Sequence, residues 1–253
     1  MENISSPIRL VSVNIEKDRH FNTVLSFLRE KKPNVVCLQE VFEKDMPLFE
    51  KELGMKGFFA ITHRWRIMSG GRAEIIPLGV GILSSLPVTQ VLPKYYSGDH
   101  LHLQISNEGM DDTEARVLLV AFMNISGVLY TIGTTHFTWS PKGEADDRQR
   151  RDLKSFFEKT DEFKNDGIVI AGDFNAPRGR EIFREIETRF KDNIPLTYIT
   201  SLDPRLHRAP LEIKHLMVDG VFSTPEYSVS NVSLNFGVSD HAAIVADIVK
   251  IRK

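Results

Sequence analysis

Apolar residues fall in short runs along this chain, and several runs end in a polar residue able to do chemistry. Ile8 to Val13 is a β-rich run that stops at Asn14. Beyond it Phe21, Val24, Leu25 and Leu28 recur at helical spacing until Pro33 stops the helix. Val35 to Leu38 predicts a second strand, which runs into Gln39 and Glu40. Phe58 to Thr62 and Val80 to Leu83 predict further short strands, and Pro87, Val88 and Thr89 open another. Val117 to Ile125 pairs naturally with Val128 to Thr135 through Ser126 and Gly127, a hairpin that ends at His136.

The second half repeats the arrangement. A polar loop with Pro141 and Gly143 leads into a helix whose inward stripe is Leu153, Phe156, Phe157 and Phe163. The strand Ile168 to Ala171 follows and delivers Asp173 and Asn175. A helix from about Glu181 to Phe190 and a proline-bearing loop lead to the strand Met217 to Phe222, which carries Asp219. The last strand, Ala242 to Val249, comes directly after Asp240 and His241. Strands outnumber helices, and each sheet has apolar residues enough to need cover on both faces. The predicted architecture is α/β (α+β): two stacked mixed sheets flanked by helices.

Composition narrows this little further. No proline-rich, glycine-serine or single-charge stretch divides the 253 residues, which predicts one domain. No apolar stretch approaches membrane-spanning length, and the start is too polar for a secretory signal. The sole cysteine, Cys37, sits in an apolar run, so no internal disulfide can form, and a reducing, cytoplasmic setting is expected. A net charge of -2 supplies none of the global electrostatic footprint of a dedicated duplex binder.

Two strings carry the chemistry. Ala171 to Ala176 (Ala, Gly, Asp, Phe, Asn, Ala) and Ser239, Asp240, His241 place carboxylates, an amide and an imidazole just beyond or before a strand. Hydrolysis of a phosphate ester needs such groups: carboxylates to hold a hard cation and orient water, amide or imidazole donors to steady developing charge. Alone, Asp173 and Asn175 would suit an ordinary turn. An acid at Asp219, between Val218 and Gly220, needs a partner, either His241 or a structural arginine. His63, Arg64, Trp65 and Arg66 through Arg72 form a stretch that either grips a phosphate backbone and stacks a base or is a solvated loop. Arg178 and Arg180 follow the Asp173 turn closely. Tyr95, Tyr96 and the acidic loop to Glu114 suit a substrate rim or a plain insertion. His63 and His207, each beside arginines, stand out among the remaining histidines.

In these residues and their order, the chain resembles the endonuclease/exonuclease/phosphatase superfamily. The resemblance rests on Ser12 to Asn14, Leu38 to Glu40, Gly79 to Val88, Thr135-His136, Gly172 to Asn175, Met217 to Phe222 and Ser239 to His241, in that order. It implies a four-layer α/β sandwich that hydrolyses phosphoesters with magnesium, or manganese as a substitute. It further implies Glu40, Asn14 and Asp240 as metal-site residues and Asp173 as the group that orients or deprotonates water. Asn175, His136 and His241 would contact the phosphate, with Asp219 behind His241. Arg64, Trp65, Arg66 and Arg178 are the expected substrate contacts. The superfamily spans nucleases, deadenylases and tyrosyl-DNA phosphodiesterases, which makes DNA or RNA, or a nucleic-acid end, the leading substrate. A phospholipid head group, a small phosphate ester, or a silent binding scaffold are the alternatives. No obligate protein partner is inferred.

Overall fold

The structure is a computed structural model and describes residues 7–69, 72–103, 105–106, 114–208 and 215–251. One sheet holds seven strands in the order β12-β13-β1-β2-β4-β3-β6, and the other six in the order β10-β11-β9-β8-β7-β5. Here β1 is Ile8–Asn14, β2 Val35–Phe42, β3 Lys56–Ser69, β4 Arg72–Ser84, β5 Val88–Ser97 and β6 Ile105–Ser106. Further along, β7 is Arg116–Ile125, β8 Val128–His136, β9 Val169–Asp173, β10 Lys191–Asp192, β11 Asp219–Ser223, β12 Tyr227–Asn235 and β13 Ala243–Lys250. The helices are α1 Phe21–Lys31, α2 Met46–Leu53, α3 Asp147–Thr160 and α4 Glu181–Glu187.

Period-two alternation sorts each strand between two layers. Leu10, Val35, Val80 and Ile82 from one sheet meet Val117, Leu119, Ile132, Val169 and Val221 from the other in a shared core. The opposite faces are covered separately: Val11, Val13, Val36 and Leu38 pack under Val24, Leu25, Leu28 and Phe49 of α1 and α2. Leu118, Val120 and Ile170 pack under Leu153, Phe156, Phe183 and Ile186 of α3 and α4. The result is the expected four layers. Cys37 lies in the shared core, where burial pushes its thiol pKa up to about 12 and leaves it inert.

Pairing fixes where the polar strand ends go. β1 runs parallel to β2, and β8 parallel to β9, so their C-terminal ends emerge together. β13 and β11 run antiparallel to β1 and β9, so their N-terminal ends arrive at the same edge. Gly172 makes the β8–β9 contact possible, because a Cβ there would stand 2.1 Å from the Thr135 carbonyl oxygen.

Several expectations change. Phe58 to Thr62 and Val80 to Leu83 are only the base of a long β3–β4 hairpin, and His63 to Arg66 is strand rather than loop. α2 and β12 have no sequence counterpart above. α2 is only eight residues long with a proline in its first turn, and β12 is an edge strand, polar and bulged between Ser230 and Ser233. The strand at Asp219 begins two residues later than Met217, and Phe163 belongs to a short 3-10 turn after α3. Among the described residues no helix is long and apolar enough to cross a membrane.

Candidate active site

Register alone lines up three of the expected residues. His136 of β8 lies opposite Asp173 of β9, which lies opposite Asp219 of β11. His136 Nε2 is 3.5 Å from Asp173 Oδ2, and His241 Nε2 is 3.8 Å from the same oxygen. The His241 ring is anchored through Nδ1, 2.8 Å from Asp219 Oδ2, so histidine and not arginine is the partner of that buried acid. Burial opposes charge on His241, but the Asp219, Asp173 and Asp240 carboxylates around it hold its pKa well above the ordinary histidine value.

The first sheet supplies Asn14 and Glu40. Asn14 Nδ2 donates to Asp173 Oδ2 at 3.1 Å and to Glu40 Oε1 at 3.3 Å, which ties the two sheets together at the site. Glu40 sits where β2 shifts register against β4 between Leu38 and Val41, and its φ of 50° lies in the left-handed region. A bulge of this kind re-aims a side chain at a cost in backbone strain. It turns the carboxylate toward Lys17, whose ammonium is 3.0 Å from Oε2. Burial raises the Glu40 pKa, but Lys17 and His136 outweigh it and hold the carboxyl well below the usual range.

Asn175 is set by its own turn, also left-handed at φ 48°. Its N–H donates to Asp173 Oδ1 at 2.9 Å and its Nδ2 to the Phe137 carbonyl at 3.0 Å. α3 braces both loops, as Gln149 Nε2 donates to the carbonyls of Thr138 and Asn175, at 2.7 and 3.3 Å. Asp240 accepts from Ser239 Oγ at 3.1 Å.

Glu40, His136, Asp173, Asn175, Asp240 and His241 line a cleft of about 390 Å³. Trp65 lines it too, with Lys17 over its ring at 4.4 Å. Arg64 and Arg66 do not: strand alternation turns them to the exposed face, away from the wall made by His63 and Trp65. Arg178 is also corrected. Its guanidinium pairs with Asp192 at 2.6 Å and donates to the Ile194 and Tyr198 carbonyls, in a neighbouring groove. Tyr96 is buried on Phe137 and Phe156, and Tyr95 stacks on His100, so neither forms a rim. Gly70, Gly71 and most of the acidic loop lie outside the described residues.

The cleft also contains Lys17, Arg116, Trp139 and Arg208, which sequence reasoning did not place there. It contains too Glu114, at the end of the acidic loop, and His63 and His207, the two histidines that stand out in the sequence. Arg116 is 2% exposed, pairs with Glu114 and reaches the His136 carbonyl at 3.4 Å. His207 Nε2 lies 3.9 Å from Asp240 Oδ2. Ligand atoms of His207, Asp240 and His241 fall within 4.8 Å of one another, as do those of Glu16, His20 and Asp240.

Burial pushes the His63 pKa down to about 4. A histidine below its unfolded value of about 6.5 stays neutral in the native state while the unfolded chain takes up a proton. Its contribution to stability is therefore lost as pH falls from about 6.5 toward 4, roughly 2 to 3 kcal/mol by pH 4.5. Urea melts at pH 7 and 4.5 should show a smaller acid loss in His63→Gln than in the parent. An equal loss would mean that His63 does not titrate as described.

The profile of the Endonuclease/Exonuclease/phosphatase family matches residues 11–241. The chain belongs to that family. As a family member it carries a fold whose relatives are hydrolases acting on phosphoesters. A family protein from Bacteroides vulgatus superposes with a TM-score of 0.71 at 18% identity, covering 96% of this chain and 99% of that one. The human nocturnin catalytic domain does so at 0.68 and 16%, covering 97% and 96%. The mannosyl-6-phosphatase of Bacteroides thetaiotaomicron gives 0.66 and 12%, covering 96% and 99%. No curated protein matches this family member in sequence at a significant level.

Proposed function

We propose that this chain is a divalent-metal-dependent phosphodiesterase that hydrolyses a nucleic-acid end or a nucleotide ester by direct in-line attack of water. The observation that carries the reading is the convergence of Glu40, His136, Asp173 and His241 from both sheets on one cleft, with Asn14 bonded to Glu40 and Asp173 behind it. That solved relatives include nocturnin and a sugar phosphatase supports phosphoester chemistry but leaves the substrate open.

The residues fit a hard cation. Glu40 offers carboxylate oxygens, is strained into position, and already draws an ammonium, whereas Asn14 turns its Nδ2 to Glu40 and Asp173 while its Oδ1 accepts from the Glu16 N–H. Glu40, with Asp240 across the cleft, would hold Mg2+, and Asn14, expected from the sequence as a ligand, would instead orient the Glu40 carboxylate through Nδ2. Bound there, the ion supplies Lewis-acid neutralisation of phosphoryl charge. Asp173 accepts the proton of the attacking water, its two oxygens oriented by the Asn175 N–H and Asn14 Nδ2. His136 and the charged His241 donate to the non-bridging oxygens, and Asp219 orients the His241 ring and favours its charged form. Asn175 contacts the phosphate beside them.

A short or terminal substrate suits the cleft better than a long duplex. The lining cations are Lys17, Arg116, Lys142 and Arg208, set against Glu16, Glu40, Glu114, Asp173 and Asp240. Lys17, Arg116 and Arg208 are each engaged with one of those acids. A duplex track needs unspent positive charge along it. The same observation keeps a small soluble phosphate ester as the second reading.

Bis(p-nitrophenyl) phosphate should be hydrolysed with Mg2+, fall to background in EDTA and recover when Mg2+ is restored. A panel of end-blocked and free-ended single strands, duplexes and small esters then ranks substrates. No turnover with Mg2+, Mn2+, Ca2+ or Zn2+ would favour a silent binding scaffold.

A further inference from the structure

The chain has two tryptophans, and both line the cleft. They are not equivalent. One face of Trp65 is taken by the Lys17 ammonium and its surroundings by His63. Trp139, three residues beyond His136, is 45% exposed, and no ring or cation among the described residues stacks on it. A single exposed aromatic is ordinary on a protein surface. Here a second, independent observation accompanies it. Ser140 lines the same cleft, is 1% exposed, and its Oγ has no hydrogen-bond partner among the described residues. Buried hydroxyls are nearly always satisfied.

The segment is held firmly. Thr138 Oγ1 donates to Asp152 at 2.5 Å and Gln149 clamps the Thr138 carbonyl. Arg180 Nη1 donates to the Lys142 carbonyl at 2.5 Å. Lys142, in the left-handed region at φ 58°, lines the cleft with its side chain in no ion pair among the described residues. An aromatic face, an unspent hydroxyl and an unspent ammonium thus stand side by side, next to the histidine at the end of β8.

We propose that Trp139, Ser140 and Lys142 form the subsite for the nucleoside part of the substrate. The nucleobase stacks on the Trp139 indole, Ser140 Oγ bonds a polar edge of the same unit, and Lys142 meets an adjoining phosphate. This rests on the phosphoesterase reading above and adds which part of the substrate is recognised and where. A choline head group would also seek an indole face, but the Lys142 ammonium repels a quaternary cation. A base has no such conflict, and base stacking on an aromatic tolerates any base.

The test uses AMP and ribose 5-phosphate, which differ only by the base, with phosphocholine as the lipid-type probe. In Trp65→Phe, which leaves Trp139 as the one tryptophan, AMP should quench the fluorescence and bind at least tenfold more tightly than either other probe. Trp139→Ala should bring AMP to within about twofold of ribose 5-phosphate, and Trp139→Phe should restore most of the preference. Ser140→Ala, at a position with no internal bond to lose, should weaken AMP several-fold. If AMP binds no better than ribose 5-phosphate, or Trp139→Ala keeps the preference, while the preparation hydrolyses bis(p-nitrophenyl) phosphate, the subsite is wrong and the hydrolase reading stands. Tighter binding of phosphocholine overturns the nucleoside in favour of a head group. A preparation inactive on every ester with every ion overturns both.

Discussion

Asp173→Asn is expected to lower kcat by roughly 10³-fold or more while the melting temperature stays within a few degrees of the parent or rises. The exchange keeps shape and removes the oxygen that would take the proton from water. Asp173 is buried among other acids, with Asp219 paired against it across the strands and Asn14 donating to it. One negative charge fewer beside Asp219 relieves repulsion, which offsets the lost attraction to His136 and His241 and the loss of one of the two hydrogen bonds that Asn14 and Asn175 donate. Rate at saturating substrate and a thermal melt on the same preparation check both halves. Retained turnover would remove Asp173 from the chemistry, and an unfolded variant would make it a structural residue.

Glu40→Gln is the second large effect. The side chain keeps its size but loses its charge, so the Mg2+ concentration for half-maximal rate should rise roughly 10- to 100-fold, with the rate at 1 mM Mg2+ falling by about 10² or more. Stability should change by less than about 1 kcal/mol, because the Lys17 ammonium, 3.0 Å away and partly exposed, can turn to water. A Mg2+ titration of initial rates decides it. An unchanged midpoint would place the ion elsewhere, with the His207, Asp240 and His241 group as the first alternative.

Much of this site is legible before any coordinates, for a physical reason. Asn14, His136 and Asp173 end their strands and are fixed by them, and Glu40 follows an apolar run closely, although its strand continues past it to Phe42. His241 precedes β13 by two residues and is legible in the same way. What escapes is decided by pairing between distant segments. Whether His63 and Trp65 face the cleft while Arg64 and Arg66 face solvent depends on the register of β3 against β4. Arg116 opens β7 and lines the cleft because its strand lies beside β8. Arg178 looks like a phosphate contact from its place after the Asp173 turn, yet Asp192 and two carbonyls claim it. The four layers follow from alternation, whereas the length of the β3–β4 hairpin and the edge strand β12 rest on partners that no local pattern announces.

The Asn14–Asp173 hydrogen bond joins positions 159 residues apart. Closing a contact of such separation draws a long stretch of backbone together, at a cost in loop entropy. A half-folded molecule therefore has strands but no chemistry.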